Sequence, residues 1–220
     1  MKNDIVITGM GCITSLGIGV DSLWNAAKNG ITGISDIDFP WDAGNKITKA
    51  AQIKNFDIKQ HFDRSHRIDN FAAYPLLSAK EAIEQSKLSP ELLSDPKTAV
   101  IVATGLAGAE TLENGMRKFY GLKINRIDPL IVPKTMHAGA ACAISIQYQI
   151  KGLCLSVGTG CAASNQSIGL AVQLIRAGVI DRAIVGGTEA SILPAVLKGW
   201  EALGALTDDT IRPFSAGRKG

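Results

Sequence analysis

The chain has 220 residues, 46% hydrophobic and 20% charged, enough to bury a sizeable core as one domain. Its net charge of +3 is too small a bias to mark a nucleic-acid-binding surface, though it is compatible with an acidic protein partner. No apolar run reaches transmembrane length, and the four cysteines form no C-x-x-C pair, so neither a membrane span nor a zinc or disulfide framework is expected.

Met1-Lys2-Asn3-Asp4 leads straight into Ile5-Val6-Ile7, so no secretory leader is expected and a reducing cytoplasm fits the cysteines. Asp4–Thr8 reads as a first buried strand. Asp21 is placed to cap a helix running to about Gly30, with Leu23, Ala26 and Ala27 inward. The opening glycines invite a dinucleotide-binding reading, which their spacing rejects: the residue three after Gly11 is Thr14, not glycine. Tyr120 and Tyr148 each stand one residue too close to a following lysine for a Tyr-x-x-x-Lys reductase pair. Residues 31–66 are polar and irregular, with one short strand near Thr48–Ile53 and with His61 and His66 as solvated surface.

Ile68, Ala72, Leu76, Ala79 and Ile83 recur at helical spacing, and Pro75 predicts a kink inside that helix. Ser89-Pro90 is a cap followed by proline at the first helical position. Thr98–Ala103 is a second strand, and Thr104-Gly105-Leu106-Ala107-Gly108 turns from it into a helix bearing Glu110 and Glu113. A helix is predicted from Pro133 to about Ile150, closed by Gly152. Arg182–Gly187 is a third central strand, and Leu193–Ala202 a helix.

Between these lies the stretch with the clearest chemistry. Leu153–Val157 has the length and composition of a buried strand, and Ala162–Ala177 has helical spacing with apolar or small residues on nearly every face. Gly158-Thr159-Gly160-Cys161 joins them, so Cys161 falls at a helix N-terminus. Unpaired N–H groups and the helix dipole favour a thiolate there, as a nucleophilic cysteine requires. Cys12, Cys142 and Cys154 lack that setting and read as small core residues. Glu189, at a strand end after two glycines, reads as a carboxylate bonding backbone. Strands alternating with helices give an α/β class.

Gly158-Thr159-Gly160-Cys161-Ala162, Ile168-Gly169, Ile175-Arg176-Ala177-Gly178 and Gly186-Gly187-Thr188-Glu189 together resemble the active-site segment of the β-ketoacyl-acyl-carrier-protein synthases. Gly160 stands where that family usually has alanine. Val6-Ile7-Thr8-Gly9-Met10-Gly11, Arg67-Ile68-Asp69-Asn70-Phe71 and Ile211-Arg212-Pro213-Phe214-Ser215 resemble other family signatures, with Ser215 and Lys219 in place of aspartates and Ala138-Gly139 in place of Asn-Met.

The resemblance runs from residue 4 to residue 220. It implies a thiolase-like αβαβα layered fold, of which residues 1–220 supply the first half, with the second half's groups needed for the whole reaction. It implies Cys161 as nucleophile, Leu106 and Trp200 lining an acyl pocket, and His137 in a segment that approaches a partner subunit's pocket. It implies no bound cofactor: substrates arrive on the phosphopantetheine of an acyl carrier protein. Arg64 and Arg67 read by default as solvated charges, with contact to such an acidic carrier as the alternative. The implied assembly is a homodimer, or a ketosynthase–chain-length-factor heterodimer, joined through the strand near Cys154–Val157. A catalytically silent chain-length partner is the alternative, disfavoured because such partners lack the cysteine. A thiolase relative acting on coenzyme A thioesters is a further one.

Overall fold

Thr98–Ala103 (β5) is buried along its whole length and forms the centre of the fold. The structure, a computed structural model, describes residues 4–62 and 67–220, so Arg64 and His66 lie outside it. β5 is flanked in parallel by Cys154–Val157 (β6) on one side and Arg182–Gly187 (β7) on the other, in the order β6-β5-β7. Alternate residues of a strand point to opposite faces. Val100 and Val102 therefore pack on helices α2 (Asn70–Ser86) and α6 (Gly139–Gln147). Ala99 and Ile101 pack on the other side, against Ala171 and neighbouring residues of α7 (Ala163–Arg176). The result is three layers with the sheet in the middle.

The remaining elements serve these layers. Two short antiparallel pairs precede them: β1 (Ile13–Thr14) with β2 (Gly17–Ile18), and β3 (Ser35–Asp36) with β4 (Lys49–Ala50). The second pair occupies the place of the strand expected near Thr48–Ile53. Helix α1 (Val20–Lys28) starts after Gly19, so Asp21 lies in its first turn rather than at its cap, and only Ala26 of the expected inward face is buried. Ala27 is exposed. The Ser89 hydroxyl accepts from Leu92 N–H and Pro90 opens α3 (Pro90–Ser94), as its cap residues predict.

Two expectations fail for the same reason, that tertiary partners override local pattern. Asp4–Thr8 is not a strand: Val6 and Ile7 are 71% and 82% exposed. A strand needs a ladder neighbour, and among the described residues none pairs with this segment. The chain just after it is held by helix side chains instead. Gln85 accepts from Met10 N–H, and Glu81 accepts from Cys12 and Val20 N–H. The helix expected over 133–150 is two: α5 (Ile131–Thr135) and α6, separated where Met136 turns extended. α5 packs on α4 (Ala109–Met116), whereas α6 packs between α2 and the sheet, so the chain must change direction between them. Gly152 caps no helix; α6 ends at Gln147, with Tyr148 as its cap. Three other helices match expectation closely: α2, α7 and α8 (Pro194–Ala202).

The N-terminus of α2 is fastened to α4. Buried Asp69 accepts from Phe71 N–H through Oδ1, and from Thr111 N–H and Oγ1–H through Oδ2 at 2.9 and 2.6 Å. Asn70 donates to Glu110 Oε2 at 2.8 Å. Burial, then the nearby Asp69 charge, raises the Glu110 carboxyl above its ordinary value near 4.5. The folded chain therefore binds this proton before the unfolded chain as pH falls, and stability from this group is lost as pH rises through the raised value. Glu110→Gln, which keeps the oxygen that Asn70 needs, is expected to melt above wild type at neutral pH. The gap should narrow toward pH 4.5. A gap independent of pH in denaturant melts would contradict this.

Candidate active site

Parallel strands end on the same side of a sheet, and in open α/β folds ligands bind there. Three turns leave that side: Thr104–Gly108 after β5, Gly158–Ala162 after β6, and Thr188–Ala190 after β7. Cys161 lies in the second, in a 3₁₀ turn over Gly160–Ala162 that leads into α7. Gly160, immediately before it, has φ 60°, a left-handed conformation that costs a residue with a side chain about 1–2 kcal/mol. The position at which the chain departs from the family's alanine is thus one whose backbone suits glycine.

The thiol of Cys161 is exposed. The others differ, and they correct the expectation that all three are core: Cys142 is exposed, and Cys12 and Cys154 only half-buried. Burial, then Glu81, raises the Cys12 thiol. Burial, then the neighbouring Cys142 thiol, pushes Cys154 up to about 11. Both are therefore protonated at neutral pH and poorly nucleophilic.

The turns are close together. A Cβ placed on Gly105 would lie 3.8 Å from Gly160 Cα, and one on Gly158 would lie 3.4 Å from His137 Cδ2. His137 is exposed, in the break between α5 and α6, with its ring against the nucleophile turn of its own chain. Leu106, 44% exposed, sits at the tip of the β5–α4 turn. Trp200, 39% exposed, is carried on α8 and takes no part in these contacts. A cleft of about 590 Å³ opens between α4 and α8, but its walls are Trp41, Leu112, Met116, Pro194 and Val196, not Leu106 or Trp200.

Glu189 bonds backbone, as read from the sequence: its Oε2 accepts from Gly105 N–H at 2.8 Å and Leu106 N–H at 3.1 Å. Thr188 was not singled out by its sequence. Its N–H donates to Ala103 O at 2.9 Å and its hydroxyl to Phe71 O at 2.7 Å. Phe71 O is free because its helical donor would be the residue four later, Pro75, which has no N–H. The proline was therefore the available signal. α2 runs on through it, and the orphaned carbonyl ties the helix to the end of β7. Thr188→Val should leave that carbonyl unpaired and cost about 1–3 kcal/mol in a denaturant melt. A loss below about 0.5 kcal/mol would contradict the assignment. Below this junction the fully buried Ser167 hydroxyl lies 2.7 Å from Ser164 O and 3.0 Å from Gly186 O, joining α7 to β7.

The sequence pattern of the beta-ketoacyl synthase N-terminal domain matches residues 2–220. The chain belongs to the β-ketoacyl synthase family. It is 33% identical over 223 aligned residues to 3-oxoacyl-[acyl-carrier-protein] synthase 2 of Staphylococcus aureus (strain COL), covering 98% of the chain and 54% of that protein. It is equally similar to nodulation protein E of Rhizobium sp. (strain N33), covering 100% of the chain and 55% of the relative. The chain thus spans about half the length of the curated relatives it matches.

Solved structures agree on the fold. The ishigamide ketosynthase/chain length factor superposes with a TM-score of 0.90 at 24% identity, over 98% of this chain and 54% of that one. A type II polyketide synthase acyl-carrier protein in complex with its ketosynthase gives 0.83 at 25% identity, over 100% and 55%. The three layers described above are thus the first half of the thiolase-like ketosynthase fold. No helix among the described residues is long and apolar enough to cross a membrane.

Proposed function

We propose that this chain is the nucleophile-bearing half of a condensing β-ketoacyl synthase acting in fatty-acid or polyketide assembly. The observation that carries the reading is the exposed Cys161 at the strand–turn–helix junction of β6 and α7, beside the Leu106 turn. The Cys161 thiolate attacks the thioester carbon of an acyl group carried on phosphopantetheine. The carbonyl π-pair moves to oxygen and returns as the carrier thiolate leaves, giving an acyl-cysteine. Unpaired N–H groups at the start of α7, that of Cys161 first among them, are placed to stabilise the intermediate oxyanion. A malonyl thioester then loses CO2, and its carbanion forms the new carbon–carbon bond as the cysteine thiolate leaves.

In this reading Leu106 and Trp200 shape the acyl pocket and His137 borders it. The substrates' carrier is an acyl carrier protein, met by basic residues such as exposed Arg67, and the reaction needs no bound cofactor of its own. The remaining catalytic groups come from the part of the fold that curated relatives have beyond the matched half. The subunits pair through β6, whose outer edge meets no strand among the described residues; Leu155 within it and Leu153 just before it are partly exposed. The setting is a reducing cytoplasm, where thiols persist. A silent chain-length partner is the second reading, and Cys161 argues against it.

The test is to supply the full-length protein with acyl and malonyl carrier proteins. A β-ketoacyl product with matching CO2 release, at about 1 per second or faster, is expected from a species of dimeric mass in solution. A folded protein that forms no such product would refute the reading.

A further inference from the structure

We propose that Glu189 is a positioning residue: its carboxylate holds the Leu106 turn in a strained shape beside the nucleophile turn, and so helps to set which acyl chains the site accepts. The inference rests on the functional reading above. Its first support is backbone strain. Ala107 is buried and has φ 49°, in the left-handed region that is uncommon and costly for a residue with a Cβ.

The second support is what imposes it. Three consecutive N–H groups of the turn are taken by side chains. Thr104 Oγ1 accepts from Ala107 N–H at 3.0 Å, and Glu189 Oε2 accepts from both Gly105 and Leu106 N–H. Bonds to a carboxylate are stronger than those to a neutral acceptor. Glu189 is itself fixed at its base, because Thr188 is bonded on one side to Ala103 O and on the other to Phe71 O. Among the described residues no lysine or arginine forms a salt bridge with Glu189, and its side chain bonds these two turn N–H groups.

The third support is adjacency. Gly105 faces Gly160, so a shift of this turn is felt next to Cys161 as well as at Leu106. Removing the carboxylate frees two N–H groups and lets Ala107 relax. Leu106 then moves, and acyl chains of different length are affected unequally. A purely structural role would lower all of them alike.

The experiment compares full-length wild type, Glu189→Ala and Glu189→Gln for the rate of Cys161 acylation by short, medium and long acyl-carrier thioesters. Hydrogen exchange of the peptide spanning residues 104–108 is followed in parallel. Glu189→Ala, which loses both turn hydrogen bonds, is expected to change the ratio of long-chain to short-chain kcat/KM about tenfold, and to speed exchange in that peptide. Glu189→Gln, which keeps an acceptor oxygen, should restore most of the wild-type ratio. An unchanged ratio in Glu189→Ala, or a glutamine variant as altered as the alanine one, would overturn the proposal. Should wild type itself accept no acyl group, the functional reading fails. The exchange rates then decide the clamp separately: unchanged exchange in Glu189→Ala overturns it.

Discussion

Cys161→Ser is expected to lower condensation by at least about 10³-fold, as removal of a nucleophile does in other covalent enzymes. Its stability should stay within about 0.5 kcal/mol of wild type, because the side chain is exposed and no packing is lost. A serine hydroxyl keeps the shape but is a weak nucleophile at neutral pH without an adjacent base. The contrast with the other cysteines makes the expectation specific. Cys12 and Cys154 are held protonated by burial, and serine there should change stability more than turnover. If Cys154→Ser abolished condensation while Cys161→Ser left it intact, the assignment would fall. Kinetics and urea melts on the same preparations separate the two effects.

Phe71→Ala is expected to have the largest effect on stability, about 3–5 kcal/mol. The ring is completely buried in the core cluster with Val100, Val102 and Ala140, and its edge lies against Gly139 at the start of α6. The same residue's N–H is capped by Asp69 and its carbonyl receives Thr188. Its side chain thus supports the point where α2, α6 and the end of β7 meet, directly below the turns of the candidate site. Against a total stability of about 5–15 kcal/mol for a domain, such a loss removes a large share. A urea melt showing less than about 1 kcal/mol would mean that the cavity collapses and that this junction is not rigid.

The central strands and the site turn were legible because their signals are local. β5 and β7 are short apolar runs bounded by turn residues, Ser89-Pro90 is a self-contained cap, and Gly160-Cys161 sits between a strand pattern and a helix pattern. What failed depends on partners that sequence spacing does not name. Ile5-Val6-Ile7 has strand composition, yet a strand exists only where another lies beside it. Residues 133–150 read as one helix because no proline after Pro133 marks the break at Met136 and His137. The packing of α5 on α4 and of α6 on α2 forces the turn at Met136. Cysteine burial was misjudged for a related reason: Cys142 is exposed on α6 beside the half-buried Cys154, and spacing alone does not tell how fully neighbouring elements cover such a side chain. The Thr188–Phe71 bond was reachable in principle, since Pro75 announces a carbonyl without a helical donor. Naming its new donor required the tertiary structure.

The central claim, that Cys161 is the residue acylated by a carrier-bound substrate, is tested most directly by mapping the adduct. The full-length protein is incubated with an acyl-loaded carrier protein, digested, and its peptides weighed by mass spectrometry. The acyl mass is predicted on the peptide containing Cys161 and absent from the same digest of Cys161→Ser. An acyl group found on Cys12, Cys142 or Cys154, or one that persists in Cys161→Ser, would contradict it.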